Sequence, residues 1–444
     1  MDFNKSQEES KTLRIIRTGW AARKELNFTY LKLFSLRLIL DYAYGNIVSL
    51  IFGYQNFKNE PTIFSYFISW LFLITLSPLI VKNFQNKNLS SYIMSILIIT
   101  SLLPTTTLIA FTSSYSAIYV TLMYVYWLLI LLFNYKVPTI VFSKDFQIKS
   151  KIPYIFLTIL FCGAVLYTSG KYTGFRFHFG LLDVYDLRTE AREYQVSMLL
   201  GYIITAADNI LPVLLVFFLI RKSWIVALFI SVIILLNFGI SAVKQVLFLL
   251  TFAWFGYLFV KTENFFNLFL SGVIALVLTS IAEFQIFGTY FLTNFMTYRI
   301  FFIPAKLHHV YYTFFSVNEL DYFRQSILKY FLDSSYKDGI QFMMGYEDIG
   351  DVTARANNGL FSDAYLNVGA IGVLIFPLIV VCILKTLEGA SKGLNPKIIF
   401  IVITAVSFVL LGVPFSTALL TSGILILILF LYTLPRSTPS GNNF

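Results

Sequence analysis

The sequence predicts an all-α, polytopic membrane protein with about twelve transmembrane helices and two large loops on the outer face. Three observations support this fold class: 57% of the 444 residues are hydrophobic, only 13% are charged, and the mean hydropathy is +0.75. A soluble domain has about 25% charged residues. The composition therefore excludes an ordinary soluble protein and predicts a lipid environment for most of the chain.

Apolar stretches of membrane-spanning length recur along the whole sequence. A helix needs about 20 mostly apolar residues to cross the hydrocarbon core of a bilayer. The first stretch is interrupted by Arg37 and Asp41, and the last two are separated only by a tight hairpin at 411–414. By this length criterion we expect spans at about 31–52, 62–81, 91–111, 116–133, 153–169, 199–220, 223–241, 244–260, 265–283, 367–386, 397–412 and 414–433.

Lysine and arginine residues orient this array. Short loops rich in these residues stay on the cytoplasmic side, and twelve spans place both termini there. We expect a basic N-terminal tail at 1–30, a single transmembrane domain at 31–433 and a short C-terminal tail at 434–444. The long segments 170–198 and 284–366 then lie on the outer side. Because inner loops are cationic in any such protein, the net charge of +10 does not indicate a nucleic-acid partner.

Cysteine and histidine usage excludes two kinds of site. Cys162 and Cys382 both lie in apolar runs, which excludes a disulfide framework and a cysteine-based zinc site. His308 and His309 lack the further spaced ligands that zinc needs. The sequence therefore predicts no metal.

The first outer loop carries two arginines at helical spacing. Arg188 and Arg192 are i,i+4 neighbours on a helix that we expect Asp186 to cap. Like charges at this spacing repel, so an anion bound between them would relieve the repulsion. The alternative interpretation is a solvated helix whose arginines are neutralised by Glu190 and Glu193.

The second outer loop contains amphipathic pieces at 301–315 and 322–331, which we expect to be helices lying along the membrane surface. Just after Pro304, His308 and His309 fall on adjacent helix faces, so at most one of them points inward. Either histidine is a candidate base, and the alternative is a structural hydrogen-bonding role.

The stretch 354–372 leads into an apolar run and carries more polar chemistry than a plain loop needs. The Asn-Asn-Gly sequence at 357–359 predicts a turn, and Ser362 is the expected helix cap. Asp363 suits the positive helix end, where free N–H groups are suited to a diphosphate. Asp363 is therefore either part of the cap or a proton acceptor.

Two isolated charges complete the set of candidates. Lys244 lies in the tight turn between the seventh and eighth spans, where it could bind an anion or extend to lipid phosphate. Asp208 lies inside the sixth span and is a functional candidate by default. A partner such as Lys244 would make Asp208 purely structural.

Three local features resemble one known family. They are Arg-Ile-Phe-Phe-Ile-Pro at 299–304 followed by Val-Tyr-Tyr-Thr-Phe-Phe at 310–315, the stretch 356–372 that opens a membrane helix, and the small-residue turn with a cation around Lys244. With the many spans, cytoplasmic ends and two large outer loops, they resemble bacterial O-antigen and capsule repeat-unit polymerases, the Wzy type within the O-antigen polymerase and ligase group. The family usually has arginine where this chain has Lys244.

The resemblance implies a glycosyltransferase C-type fold that needs no cofactor. The glycan on one undecaprenyl diphosphate would pass to a sugar hydroxyl of a repeat unit on a second such lipid. Fixed cations would stabilise the departing diphosphate, and a base would accept the hydroxyl proton. The candidates are Arg299, Asp363, His309 and His308 for catalysis, with Glu283 or Asp208 as further bases, then Arg188, Arg192, Lys244 and Arg355 for the diphosphate, and Asn357, Asn358 and Tyr365 for sugars.

Two other functions remain open at this point. One is O-antigen ligase, which uses lipid A core as acceptor, and the other is a flippase or transporter of lipid-linked oligosaccharide. A flippase should line a central cavity with cations at membrane depth. The expected partners are undecaprenyl-diphosphate-linked oligosaccharides, membrane lipids, a chain-length regulator and a flippase, with the chain in the bacterial inner membrane.

Overall fold

The computed structural model describes residues 26–141, 152–178, 180, 184–260, 265–357 and 359–436. These residues form helices and connecting turns, and no strand occurs among them. The helices are α1 (Leu26–Gln55), α2 (Ile63–Gln85), α3 (Leu89–Phe111), α4 (Ala117–Lys136), α5 (Ile152–Thr173), α6 (Val184–Glu193), α7 (Met198–Ile220), α8 (Trp224–Ser241), α9 (Lys244–Phe259), α10 (Phe265–Phe287), α11 (Ile303–Val317), α12 (Ile340–Ile349), α13 (Leu360–Ser391), α14 (Pro396–Gly412), α15 (Phe415–Leu419) and α16 (Ile424–Thr433).

The predicted all-α fold is confirmed for the described residues, and the helix lengths are consistent with the predicted multi-pass architecture. Within the described ranges, ten helical segments are long and apolar enough to cross a membrane. Two further apolar helices, α9 and α14, have 16 and 17 residues. Each of the twelve predicted spans overlaps one of these segments, because a long apolar run is a local property that sequence length and hydropathy already report.

The described chain divides into two compact units. The first consists of residues 26–86, 98–115 and 266–305, and the second of 87–97, 116–260 and 306–436. The first unit contains α1, α2, the second half of α3, most of α10 and a π-helix at Thr293–Phe302. The second contains the remaining helices, in which α13 packs on α4 and α7 packs on α8, α9 and α14.

A buried ion pair in the first unit explains why α1 tolerates two charges in an apolar span. Arg37 and Asp41, one turn apart, form a salt bridge and are 0% and 5% exposed. Arg37 also donates to the Thr106 hydroxyl at 2.8 Å and to the Ser69 hydroxyl at 3.0 Å, and Tyr66 donates to Asp41 at 2.9 Å. A charge at membrane depth is tolerated when it is paired and hydrogen-bonded in this way.

Of the two helices predicted to lie along the membrane surface, the second is wrong. Residues 301–315 are helical, within the π-helix and α11, but 322–331 form consecutive turns. Tyr322 and Phe323 have φ of 51° and 63°, which a right-handed helix does not allow. Asp321 stabilises the turns instead, because its carboxylate accepts from the Gln325 N–H at 2.9 Å and its carbonyl accepts from the Arg324 N–H at 3.0 Å.

Helix α13 differs from the predicted span 367–386 at its start. It begins at Leu360, runs for 32 residues and breaks at Gly369, whose φ is 61° and ψ is −143°. Only glycine adopts that conformation readily. The break separates a short buried helix at 360–368 from the membrane-length part, and the Leu366 carbonyl and Asn367 side chain at its end accept from the Asp321 and Phe323 N–H groups.

Candidate functional site

The segment 351–359, between α12 and α13, is held against two helices by its backbone. Tyr311 of α11 donates its hydroxyl to the Ala356 carbonyl at 2.7 Å, and the Ala356 N–H donates to the Gln341 carbonyl of α12 at 2.9 Å. The Ala354 carbonyl lies so close to Gly345 that a Cβ there would overlap it. Ala356 is buried, whereas its neighbours Arg355 and Asn357 are exposed. The fixed backbone therefore directs Arg355 outward.

Arg355 and Arg192 meet over one aromatic ring. The Arg355 guanidinium carbon lies 4.9 Å from the centroid of Phe342, and that of Arg192 lies 5.2 Å from the same centroid. Arg192 comes from α6, in the predicted first outer loop, and Phe342 from α12, in the second. Each cation is attracted to the ring, by about 0.5–1 kcal/mol at exposed sites. Phe342 therefore holds two like charges near each other.

Arg188 adds a third positive charge to this group. It lies one turn before Arg192 on α6, and its Nε donates to the Ala242 carbonyl at 3.2 Å, in the turn between α8 and α9. Although Arg355 keeps an exposed surface, partial desolvation of its guanidinium first, and then the charges of Arg192 and Arg188, lower its pKa. We call Arg188, Arg192, Arg355 and Phe342 the arginine cluster.

The arginine cluster has an excess of positive charge. None of the ion pairs in the described part of the chain includes Arg192 or Arg355. Glu190, which the alternative interpretation assigned to neutralise α6, accepts instead from Arg176 at 2.9 Å and from the Tyr194 hydroxyl at 2.6 Å. These two hydrogen bonds, that of Tyr194 first, lower the pKa of Glu190. The geometry thus favours an anion as the ionic partner of Arg192 and Arg355.

Two details of α6 and α9 bear on the remaining cluster predictions. Helix α6 begins at Val184, so Asp186 lies in its first turn and does not cap it, contrary to the prediction. Lys244 is half-buried at the start of α9, two residues after the Ala242 carbonyl that Arg188 contacts. The chain thus brings Arg188, Arg192 and Arg355 together. Lys244 lies two residues after Ala242, whose carbonyl accepts the hydrogen bond from Arg188.

His308 supports the other end of the 351–359 segment. Its ring is 3% exposed, and its Nδ1 lies 2.9 Å from the Ser362 hydroxyl. A Cβ at Gly359 would lie 3.0 Å from His308 Cε1, so only glycine fits without moving the ring. Burial lowers the pKa of His308 to about 4, and the imidazole is neutral near pH 7. His309 on the adjacent face is half-buried, with its ring centroid 5.0 Å from that of Tyr119, so only His308 of the two is fully buried.

Asp363 is 1% exposed and joins two helix starts. One carboxylate oxygen accepts from the Phe415 N–H at 2.7 Å, at the start of α15, and the other from the Asn367 amide at 3.0 Å. The predicted cap is wrong: Gly359 is the N-cap of α13, it makes no side-chain cap, and Ser362 is the third helical residue. Ser362 is occupied by His308 instead, because contacts with α11 extend the helix toward its N-terminus.

The other predicted residues lie in several places. Arg299 belongs to the first unit, where it is exposed on the π-helix with its guanidinium 5.9 Å from the Phe295 centroid. Glu283, in the same unit, accepts from the N–H groups of Phe291 and Leu292. In the second unit Tyr365 is buried, with its ring centroid 5.0 Å from that of Tyr312. Asn358 lies outside the described residues.

Asp208 is bonded within the helix bundle of the second unit. Its carboxylate accepts from the Asn237 amide of α8 at 2.6 Å. The neighbouring Asn209 donates to the Ser422 carbonyl at 3.0 Å and accepts from Gln245 at 3.0 Å. These bonds tie α7 to α8, to α9 and to the turn before α16, so a structural role accounts for Asp208.

Sequence reasoning missed several residues that build the site. Phe342 and Tyr311 lie among many other aromatic residues of the loop, and nothing in their spacing distinguishes them. Lys306 and Asp348 form a buried ion pair at 2.6 Å that joins α11 to α12. Burial lowers the pKa of Lys306 and raises that of Asp348. An intramolecular pair 42 positions apart leaves no local signal in the sequence.

Comparisons of the chain with family models, with curated proteins and with solved structures give no match. The function of the chain must therefore be inferred from the residues of the site. The site consists of the fixed segment 351–359, which directs Arg355 toward two arginines of α6, and of the Phe342 ring that Arg192 and Arg355 both contact. At the end of that segment the buried, neutral His308 lies against Gly359, and the half-buried His309 follows it in α11 and contacts Tyr119.

Proposed function

We propose that the protein is a membrane glycosyltransferase that polymerises lipid-linked oligosaccharide repeat units into a polysaccharide of the O-antigen or capsule type. It would act at the outer face of the bacterial inner membrane. The observation that carries the proposal is the placement of Arg192 and Arg355 against the ring of Phe342, with the charge of Arg188 acting on Arg355 as well. A diphosphate is the anion whose chemistry fits three guanidinium groups best.

The reaction breaks one bond and forms another at the donor sugar. The bond between the anomeric carbon and the diphosphate oxygen breaks, and the electron pair leaves with undecaprenyl diphosphate. An acceptor hydroxyl of a second lipid-linked unit forms the new glycosidic bond and releases its proton. Charge that develops on the leaving diphosphate is stabilised by the cations, since guanidinium binds phosphate oxygens in a bidentate manner.

The proton acceptor must be reachable by substrate. Asp363 and His308 are 1% and 3% exposed, and both carboxylate oxygens of Asp363 already accept hydrogen bonds. We therefore assign the proton-accepting role to His309, the half-buried residue of the three. His308 and Asp363 are positioning residues that hold the segment leading to Arg355. Tyr312 and Tyr365 are buried, 8% and 9% exposed, and their rings pack against each other, so they support the site and do not stack on a sugar.

Gel analysis of surface glycan tests the function. In a strain that lacks the protein, we expect the polysaccharide ladder to disappear from the gel, while surface glycan that carries a single repeat unit is still detected. Loss of all capped glycan would indicate a ligase or flippase instead, and an intact ladder would refute the proposal.

Complementation of that strain tests the site. We expect Arg355→Ala to restore no ladder and Arg355→Lys to restore a weak one, because lysine keeps the charge and loses the bidentate contact. Removal of one such contact from a transition state costs about 10²–10³ in rate. Arg324→Ala is the control, since Arg324 pairs with Glu319 outside the arginine cluster. A full ladder with Arg355→Ala at normal expression would exclude this site.

A further inference from the structure

A cavity of about 500 Å³ opens in the second unit, and none of the residues assigned to the transferase site lines it. The start of α3, the end of α13 and the first half of α14 form its walls. This volume falls in the range of pockets that hold small organic ligands, about 300–1,000 Å³. The cavity is therefore large enough for a ligand of its own.

The inner wall of the cavity is apolar. It is formed by Leu89 of α3, Val260 just after α9, and Ile399, Phe400 and Ile403 of α14. Phe400 and Ile403 are buried in the helix bundle, whereas Ile399 is half-buried and borders the open space. A hydrocarbon chain is the kind of group that gains free energy by covering such a wall.

The mouth of the cavity is positive. Lys87 and Lys392 are exposed lining residues, and within the described part of the chain neither forms an ion pair. The one acid at the mouth, Glu388, accepts from the Ser90 hydroxyl at 2.5 Å, from the Lys385 ammonium at 3.3 Å and from Thr139. Glu388 is thus neutralised locally and leaves the two lysines uncompensated.

We propose that this cavity is a binding site for an anionic phospholipid. The phosphate group lies between Lys87 and Lys392, and an acyl chain runs along Leu89, Ile399 and Ile403. A charged head at a positive mouth and an apolar chain against an apolar wall match the two halves of the cavity. Both lysines belong to loops that the charge pattern predicts to be cytoplasmic, and that leaflet carries the anionic lipids that attract lysine.

Native mass spectrometry of the full-length protein tests this site. The protein in detergent solution is titrated with palmitoyl-oleoyl phosphatidylglycerol and, separately, with the phosphatidylcholine of the same chains, and the detergent is removed in the gas phase before detection. We expect the first phosphatidylglycerol to bind more tightly than the first phosphatidylcholine. Because each lysine contributes about 1 kcal/mol to attraction of an anionic lipid, Lys87→Gln with Lys392→Gln should weaken the first phosphatidylglycerol by about 30-fold.

A matched double variant separates the site from overall charge. Lys82→Gln with Lys136→Gln removes the same charge from exposed lysines that do not line the cavity, and should leave the affinity of the first lipid unchanged. Ile399→Trp narrows the cavity along its apolar wall and leaves both lysines, and should weaken binding of the first phosphatidylglycerol by obstructing the acyl chain. Proteins of equal thermal stability are compared.

Each other result would overturn the proposal. Equal affinity for the two lipids, or equal loss in the two double variants, means that no specific headgroup site exists. Unchanged binding in Ile399→Trp means that the cavity is not where the lipid binds, or that another part of the chain fills it. Displacement of the lipid by millimolar inorganic phosphate would show that the apolar wall contributes nothing.

Discussion

The guanidinium groups of Arg192 and Arg355 share the ring of Phe342, at 5.2 and 4.9 Å from its centroid. Two like charges held this close repel, and the ring offsets part of that repulsion through its electron-rich face. Burial and the charges of Arg192 and Arg188 act on Arg355 in the same direction and lower its pKa. An anion bound between the arginines would remove this repulsion.

Phe342→Ala should weaken this anion site. Loss of two cation–π contacts amounts to about 1–2 kcal/mol, which corresponds to about tenfold weaker binding of a diphosphate. Binding of farnesyl diphosphate to the purified protein, followed by calorimetry, measures the change. Phe331→Ala is the control, because Phe331 belongs to the same loop and is 80% exposed. Equal affinity of Phe342→Ala and the wild type would show that the ring does not organise the arginines.

The helices, and the proximity of Arg188 to Arg192, could be predicted from the sequence alone, whereas the proximity of both to Arg355 could not. Apolar runs report their own location, and the i,i+4 spacing of Arg188 and Arg192 already implied one helix face. Arg355 joins them only because Tyr311, Gln341 and Gly345 fix the backbone on either side of it. Such contacts depend on how distant helices pack, and no local pattern reports that.

Two predictions from local sequence preference, the helix cap at Ser362 and the helix over 322–331, are wrong for the same reason. Capping preferences placed the helix start at Ser362 because serine is a favoured N-cap. In the folded chain Ser362 is committed to His308, and the helix begins at Leu360. The same holds for 322–331, whose apolar spacing suggests a helix while Asp321 captures the N–H groups that a helix would use. Tertiary hydrogen bonds thus outweighed local preference at both places.

Gly359→Ala should displace His308. The added Cβ would lie 3.0 Å from Cε1, so the ring must shift by a few tenths of an ångström and strain its bond to Ser362. We expect a loss of about 1 kcal/mol in unfolding free energy, read from thermal unfolding in detergent. Gly163→Ala is the control, since open space surrounds that position. In a His308→Ala background the cost of Gly359→Ala should vanish, and a cost that persists there would assign the strain to another contact.

Asp363→Asn separates a positioning residue from a base. The amide cannot accept from both the Phe415 N–H and the Asn367 amide, so one buried donor loses its partner, at a cost of about 1–3 kcal/mol. We expect a lower unfolding temperature, and we expect the protein that remains folded to retain transferase activity. Asp333→Asn, at an exposed position of the same loop, should change neither. Loss of activity at unchanged stability would make Asp363 the base and remove that role from His309.

His308 should make the stability of the protein depend on pH. Its pKa is lowered by burial from the ordinary value of 6.5 to about 4, so between these values the unfolded chain binds a proton that the folded chain does not. The contribution of neutral His308 to the free energy of unfolding is therefore fully present above about pH 6.5. It decreases as the pH falls toward 4, by about 3 kcal/mol at most. Thermal unfolding at several pH values measures the slope. We expect His308→Gln to flatten it, since glutamine does not titrate, whereas Ser362→Ala should lower stability by a similar amount at every pH and keep the slope. An equal slope in His308→Gln and the wild type would mean that another group carries the pH dependence and that His308 is not buried in its neutral form.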